Sequence, residues 1–123
     1  MRLILTIGAG SFIGGILRYL ISLSVQSKVL STFPYGTLTV NVAGCLLIGL
    51  VYGLSDRFTI SPEMRLFLAT GILGGFTTFS AFSNETIGML RDGQYWMAGI
   101  YIAVSIILGL LATIGGIVIT KIF

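Results

Sequence analysis

Apolar residues run along this chain in four long stretches instead of alternating with charges. They fall at about residues 3–25, 36–55, 65–90 and 95–120, each long enough to carry a helix across a bilayer, which takes about 20 residues. The pattern predicts an all-α membrane protein with four transmembrane helices in one domain, residues 1–123. Loop punctuation separates the stretches. Thr32-Phe33-Pro34-Tyr35-Gly36 marks the first connection, and Ser61-Pro62-Glu63 marks the second, with Ser61 placed to cap a helix and Pro62 in its first turn. Tyr95 and Trp96 follow Arg91-Asp92-Gly93, where amphipathic rings sit at the headgroup level before the last span. Met1-Arg2 ahead of an apolar run imitates a signal peptide, but the run is long, holds Arg18 and lacks a clear cleavage site, so a retained first helix is expected.

Composition narrows the class. The chain is 55% apolar and only 9% charged, against about 25% charged in a soluble domain. It has no His and one Cys, Cys45, which removes His-based triads and His/Cys metal sites within one chain. No nucleophile and base pair is visible, so an enzyme is not expected. The net charge of +3 is scattered, giving no nucleic-acid footprint. Seventeen glycines suit helices that pack backbone to backbone in lipid, and Gly10/Gly14 and Gly49/Gly53 have the small-xxx-small spacing. The string Gly8 to Gly14 lacks the spacing and the preceding strand of a dinucleotide loop, so packing is its reading too.

Four spans put both termini and the second connection on one side, with Arg2, Arg57, Arg65 and Lys121; the other side holds Lys28, Arg91 and at most Arg18. That bias is weak under the positive-inside rule. Two readings follow: a fixed orientation, or insertion both ways, for which the natural assembly is an antiparallel dual-topology homodimer with its twofold axis in the membrane plane.

The third span reads Gly74-Gly75-Phe76-Thr77-Thr78-Phe79-Ser80-Ala81-Phe82 at its centre. Adjacent glycines and β-branched threonines weaken helix propensity, and the hydroxyls can satisfy backbone groups that a break sets free. Either the helix is broken there, with carbonyls available to a hard cation such as Na⁺, or the glycines simply let two helices cross closely. Polar groups inside a span are functional candidates by default. Arg18, Asn41 and Glu85 stand out, with Thr37 one turn before Asn41. Tyr101, Ser105 and Thr113 form a hydroxyl stripe on the fourth span, and Thr77, Ser80 and Asn84 another on the third. Many donors with almost no fixed negative charge favour an anion path, although single Ser and Thr residues often bond their own backbone. Phe76, Phe79 and Phe82 recur every three residues. Such a stripe usually means packing, yet these rings alternate with donors and their electropositive edges can stabilise a dehydrated anion. Arg18 lies about four residues, roughly 6 Å, past the centre of its span, from where it can snorkel or line an anion vestibule. Glu85 opposes an anion path unless it is hydrogen-bonded.

Three segments, Gly14-Gly15-Ile16-Leu17-Arg18-Tyr19, Gly36-Thr37-Leu38-Thr39-Val40-Asn41-Val42-Ala43-Gly44 and Gly74 to Phe82, give the chain a family likeness. It resembles the Fluc (CrcB) fluoride channels of microorganisms over nearly its whole length. The resemblance implies an antiparallel homodimer in the cell (inner) membrane, two fluoride pores and a central structural Na⁺ held by main-chain carbonyls of Gly74 and Thr77 from both subunits. It makes Phe79 and Phe82 the aromatic pore residues, Asn41 a nearby donor, and Ser80, Tyr101, Ser105 and Thr113 the polar track; Arg18 and Glu85 are family positions of less defined role. Gly109 departs from the pattern, interrupting the hydroxyl stripe. The implied activity is passive export of fluoride that enters as HF, dissociates in the cytoplasm and is trapped there. Two rivals remain: a proton-coupled multidrug transporter, for which Glu85 is the one candidate carboxylate, and a non-transporting assembly subunit.

Overall fold

The computed structural model describes residues 1–123 and contains helices and no strand. Helix α1 spans Arg2–Ser27 and α2 spans Tyr35–Arg57. The third span, Pro62–Arg91, consists of α3, residues 62–76, and α4, Phe79–Arg91, and the chain ends with α5, Tyr95–Ile122. All four spans are long and apolar enough to cross a membrane. Each observed helix extends the apolar stretch read from the sequence at one or both ends, because helices continue into the polar headgroup layer. Ser61 accepts a hydrogen bond from the Met64 N–H at 3.1 Å with Pro62 behind it, so α3 begins at its capping signal, three residues before the apolar run.

Glycines decide how the spans cross. Helix α1 packs along α3, and α2 packs along α5, in two crossings of similar extent. A Cβ on Gly10 would lie 2.8 Å from the Gly71 Cα, and one on Gly14 would overlap the Ile72 carbonyl oxygen. Gly75 faces Ser11 in the same way, its Cβ falling 2.6 Å from the Ser11 carbonyl. On the other side Gly49 meets the Thr113 carbonyl, Gly116 meets the Leu46 carbonyl and Gly53 meets the Thr120 side chain, each too close for a Cβ. Backbone thus lies on backbone at both crossings, where van der Waals contact and not the hydrophobic effect holds helices in lipid.

The third span departs from a regular helix twice. Residues Leu66–Leu73 form a π-helix, with wider turns than the α-helix that flanks it. At Thr77 (φ −86°, ψ 155°) and Thr78 (φ −149°, ψ 115°) the backbone is extended. After this interruption the chain leaves α1, and α4 runs against α5. The close-crossing explanation holds for Gly75, which meets Ser11, whereas a Cβ on Gly74 would meet only the Ala69 carbonyl at 3.7 Å, so Gly74 mediates no crossing within the chain.

Candidate functional site

The break at Thr77-Thr78 is held by side chains from two helices, α1 and α2, and by its own two threonines. Asn41 on α2 bridges it: the Thr78 N–H donates to Oδ1 at 2.8 Å, and Nδ2 donates to the Thr78 carbonyl at 3.0 Å. One side-chain amide therefore takes the place of the strand partner that an extended residue requires. The Arg18 Nε donates to the Gly75 carbonyl at 3.2 Å, putting a cation at the C-terminal end of α3, where helix carbonyls lack intrahelical donors. Thr77 donates its hydroxyl to the Leu73 carbonyl at 3.0 Å, and Thr78 caps α4 by accepting from the Ala81 N–H at 3.2 Å. Thr78 also lies 3.2 Å from the exposed Ser80 hydroxyl.

This arrangement frees specific oxygens. The Thr78 N–H would serve the Gly74 carbonyl in an unbroken helix, but it is turned to Asn41 instead. The Thr77 carbonyl accepts no hydrogen bond within the chain. Both residues line a cleft of about 400 Å³ with Asn41, Gly44, Cys45, Thr78, Phe79, Phe82 and Ser105. None of the residues lining it is charged. Gly44, the last residue of the second likeness-bearing segment, also belongs to the site: a Cβ there would overlap the Thr77 side chain.

Phe79 is 79% exposed at the rim, and its ring centroid lies 5.5 Å from that of Phe82. Phe82 lies 5.1 Å from Tyr101, and Tyr101 meets Phe33 edge-on at 5.4 Å. The predicted aromatic pair is thus one end of a ladder that continues to the first connection. Tyr101, fully buried, donates its hydroxyl to Glu85 Oε1 at 3.2 Å, and Thr37 donates to Oε2 at 2.9 Å. The carboxylate has a donor on each oxygen, which is the condition under which it is compatible with an anion path.

The sequence-predicted residues therefore separate into groups. Asn41, Gly74, Thr77, Phe79, Phe82 and Ser105 share the cleft. Thr37 and Glu85 line a polar cavity of about 390 Å³ with Ser22, Gln26, Thr32, Asp92 and Gln94, and Tyr101 joins this group through its hydroxyl. Arg18 and Thr37 line a third space of about 300 Å³ that reaches Thr78. Thr113 is placed elsewhere: its hydroxyl donates to the Gly109 and Cys45 carbonyls, both at 3.1 Å, and serves the α2–α5 crossing. Gln26, whose side chain ties the first connection, went unnoticed because a polar residue near a helix end has no distinctive sequence signal.

Fold and site define a small four-span membrane protein whose third span is interrupted at an uncharged polar cleft. Residues 5–117 match the family described as CrcB-like protein, Camphor Resistance (CrcB), and the chain belongs to this family. A relative from Flavobacterium psychrophilum named fluoride-specific ion channel FluC is 48% identical over 122 residues, covering 98% of each chain. Proteins of the same name from Phocaeicola vulgatus and Desulfotalea psychrophila are 44% identical over 95% of this chain and 97% of theirs, and 47% identical over 87% and 83%.

Proposed function

We propose that this protein is a fluoride-selective passive channel of the cell membrane that exports cytoplasmic fluoride, assembled as an antiparallel homodimer. The carrying observation is the uncharged cleft at the helix break, which gathers Phe79, Phe82, Asn41 and Ser105 in a chain whose close relatives bear the name fluoride channel. A small, strongly hydrated anion leaves water only where several weak donors replace its shell, and a full positive charge at the constriction would hold it too long to conduct. Ring edges and hydroxyls supply attraction of that intermediate strength. Asn41 acts through the backbone, because its amide is committed to Thr78. A narrow path of this kind favours fluoride over the larger chloride.

The Na⁺ of the sequence-level expectation fits the donor set. The Thr77 carbonyl is free, the Gly74 carbonyl has lost its helical donor, and no cluster of carboxylate, imidazole and thiol groups offers a competing site. Neutral main-chain oxygens from two subunits suit a hard monovalent cation, whose charge would bind the two breaks together. The proton-coupled transporter reading finds little support, since both oxygens of Glu85 are engaged by hydroxyls outside the cleft.

The test is efflux from liposomes loaded with fluoride or chloride, started by a potassium ionophore and followed with ion-selective electrodes. Fluoride efflux without chloride efflux is expected, and Phe82→Ile, which keeps bulk and removes the ring edge, is expected to suppress it. Silence of the folded wild-type protein toward both anions would overturn the channel reading; undiminished flux through Phe82→Ile would overturn the ring-edge mechanism alone.

A further inference from the structure

Tyr101 lies between two rings, Phe82 on the cleft side and Phe33 on the side of the first connection. Phe33 belongs to no helix; it sits in the irregular segment between Ser27 and Tyr35. Such a segment holds a ring in place only if its backbone is tied. The Ser31 hydroxyl accepts from the Phe33 N–H at 3.1 Å and the Tyr35 N–H donates to the Phe33 carbonyl at 2.9 Å, and one further side chain joins these local bonds to both flanking helices. The Gln26 Nε2 donates to the Ser31 carbonyl at 3.2 Å and to the Phe33 carbonyl at 3.1 Å, while Oε1 accepts from the Gly36 N–H at 3.0 Å. The amide spans the connection from within it, joining the end of α1 to the start of α2. Phe33 is further stacked on Tyr35 at 4.7 Å. Gln26 hydrogen-bonds none of the cleft residues, yet its three bonds help fix the ring that closes the outer side of Tyr101.

We infer that Gln26 and Phe33 form a positioning clamp that fixes Tyr101, and through it the Phe82 ring, in the geometry that passes the anion. The inference rests on reading Phe82 as part of the fluoride path. Tyr101 has one hydroxyl and two ring neighbours; without Phe33 behind it, it can withdraw from Phe82 and from Glu85 together. Gln is required at position 26 because the clamp needs one acceptor and a forked donor on the same planar group, which neither Glu nor Leu provides.

The experiment measures fluoride efflux for Gln26→Leu, Gln26→Glu, Phe33→Leu, Phe33→Tyr and the double variant Gln26→Leu/Phe33→Leu, each checked for its elution as folded protein. Gln26→Leu and Phe33→Leu are expected to slow efflux by about three- to tenfold, the factor that loss of one ring contact corresponds to. Because both act through one clamp, the double variant is expected to be no slower than the slower single variant, and Phe33→Tyr is expected to conduct at the wild-type rate. A ¹⁹F label on the Phe82 ring adds a readout independent of flux: its resonance should shift in Gln26→Leu and Gln26→Glu and remain in place in Phe33→Tyr. Losses that multiply in the double variant, or an unmoved Phe82 resonance in both Gln26 variants, would overturn the clamp. If Gln26→Leu does not fold, the milder Gln26→Glu, which keeps the bond from Gly36, decides by the same two readouts. A conducting wild type with indifferent variants removes the clamp alone, whereas a silent folded wild type removes the channel reading beneath it.

Discussion

Asn41 illustrates how one residue can hold a helix break in place without presenting a free group to the cleft. Its amide satisfies the N–H and the carbonyl of Thr78, and no other side chain bonds either. Asn41→Ala strands both backbone groups at membrane depth, where each unmet group costs about 1–3 kcal/mol. The variant is expected to lose about 2–4 kcal/mol in detergent unfolding and to lose fluoride flux with it. Stability equal to wild type would show that the break does not depend on the amide. Glu85 makes the opposite case. Its oxygens accept from Thr37 and Tyr101 and drive no transport step in the channel reading. Glu85→Gln retains an oxygen for one of those hydroxyls and leaves the other to rotate toward the new amide. Fluoride efflux is therefore expected to persist in liposomes, and complete loss of transport would return the proton-coupled reading to first place.

At the scale of helices, close crossings and open faces are set by which glycine in a pair carries the contact. A Cβ on Gly116 would strike the Leu46 carbonyl and lie 2.8 Å from the Leu50 nitrogen, whereas one on Gly115 would meet nothing within 4 Å. Gly116→Ala must push α5 away from α2 and is expected to destabilise the subunit by about 1–3 kcal/mol, while Gly115→Ala changes stability by no more than about 0.5 kcal/mol. Equal effects at the two positions would refute the crossing. The four spans were legible in the sequence because bilayer thickness imposes a run length that no soluble fold needs, and the break was legible because Gly74-Gly75 and Thr77-Thr78 are poor helix formers in the middle of a span. What joins Asn41 to Thr78, or Gln26 to Phe33 and Gly36, depends on how helices lie against each other or how a connection folds back, and one chain's periodicity holds no record of that. Thr113 shows the limit most clearly. Its spacing placed it in a polar stripe with Tyr101 and Ser105, but the α2–α5 crossing brings the Cys45 carbonyl within reach, and the hydroxyl bonds there instead. The π-helix at Leu66–Leu73 was likewise unread, since its composition is that of any apolar helix.

For the whole molecule, the distribution of basic residues bears on how subunits assemble. Arg2, Arg57, Arg65 and Lys121 lie on the side of the second connection, and Lys28 and Arg91 on the other. Arg2 is paired with Glu63 at 3.1 Å and Arg57 donates to the Thr120 carbonyl, but orientation follows the number of basic residues in short loops and not their pairing. Four against two is a shallow bias for a chain with connections this short, which is compatible with the antiparallel assembly proposed above and makes orientation the property to test. In an antiparallel pair the middle of the third span lies near the twofold axis and the two Phe123 residues lie on opposite faces of the membrane. Gly74 is the position to test, because a Cβ there has only the Ala69 carbonyl within 4 Å in its own subunit and the site faces the open cleft. In a Cys45→Ser background, Gly74→Cys is expected to crosslink to its own copy, whereas Phe123→Cys does not. On the proposed dual topology, a membrane-impermeant maleimide applied to intact cells is expected to reach about half of the Phe123→Cys chains. Crosslinking at position 123, or labelling of all or none of the chains, would establish a parallel or singly oriented assembly and would remove the geometry that lets two breaks share one cation.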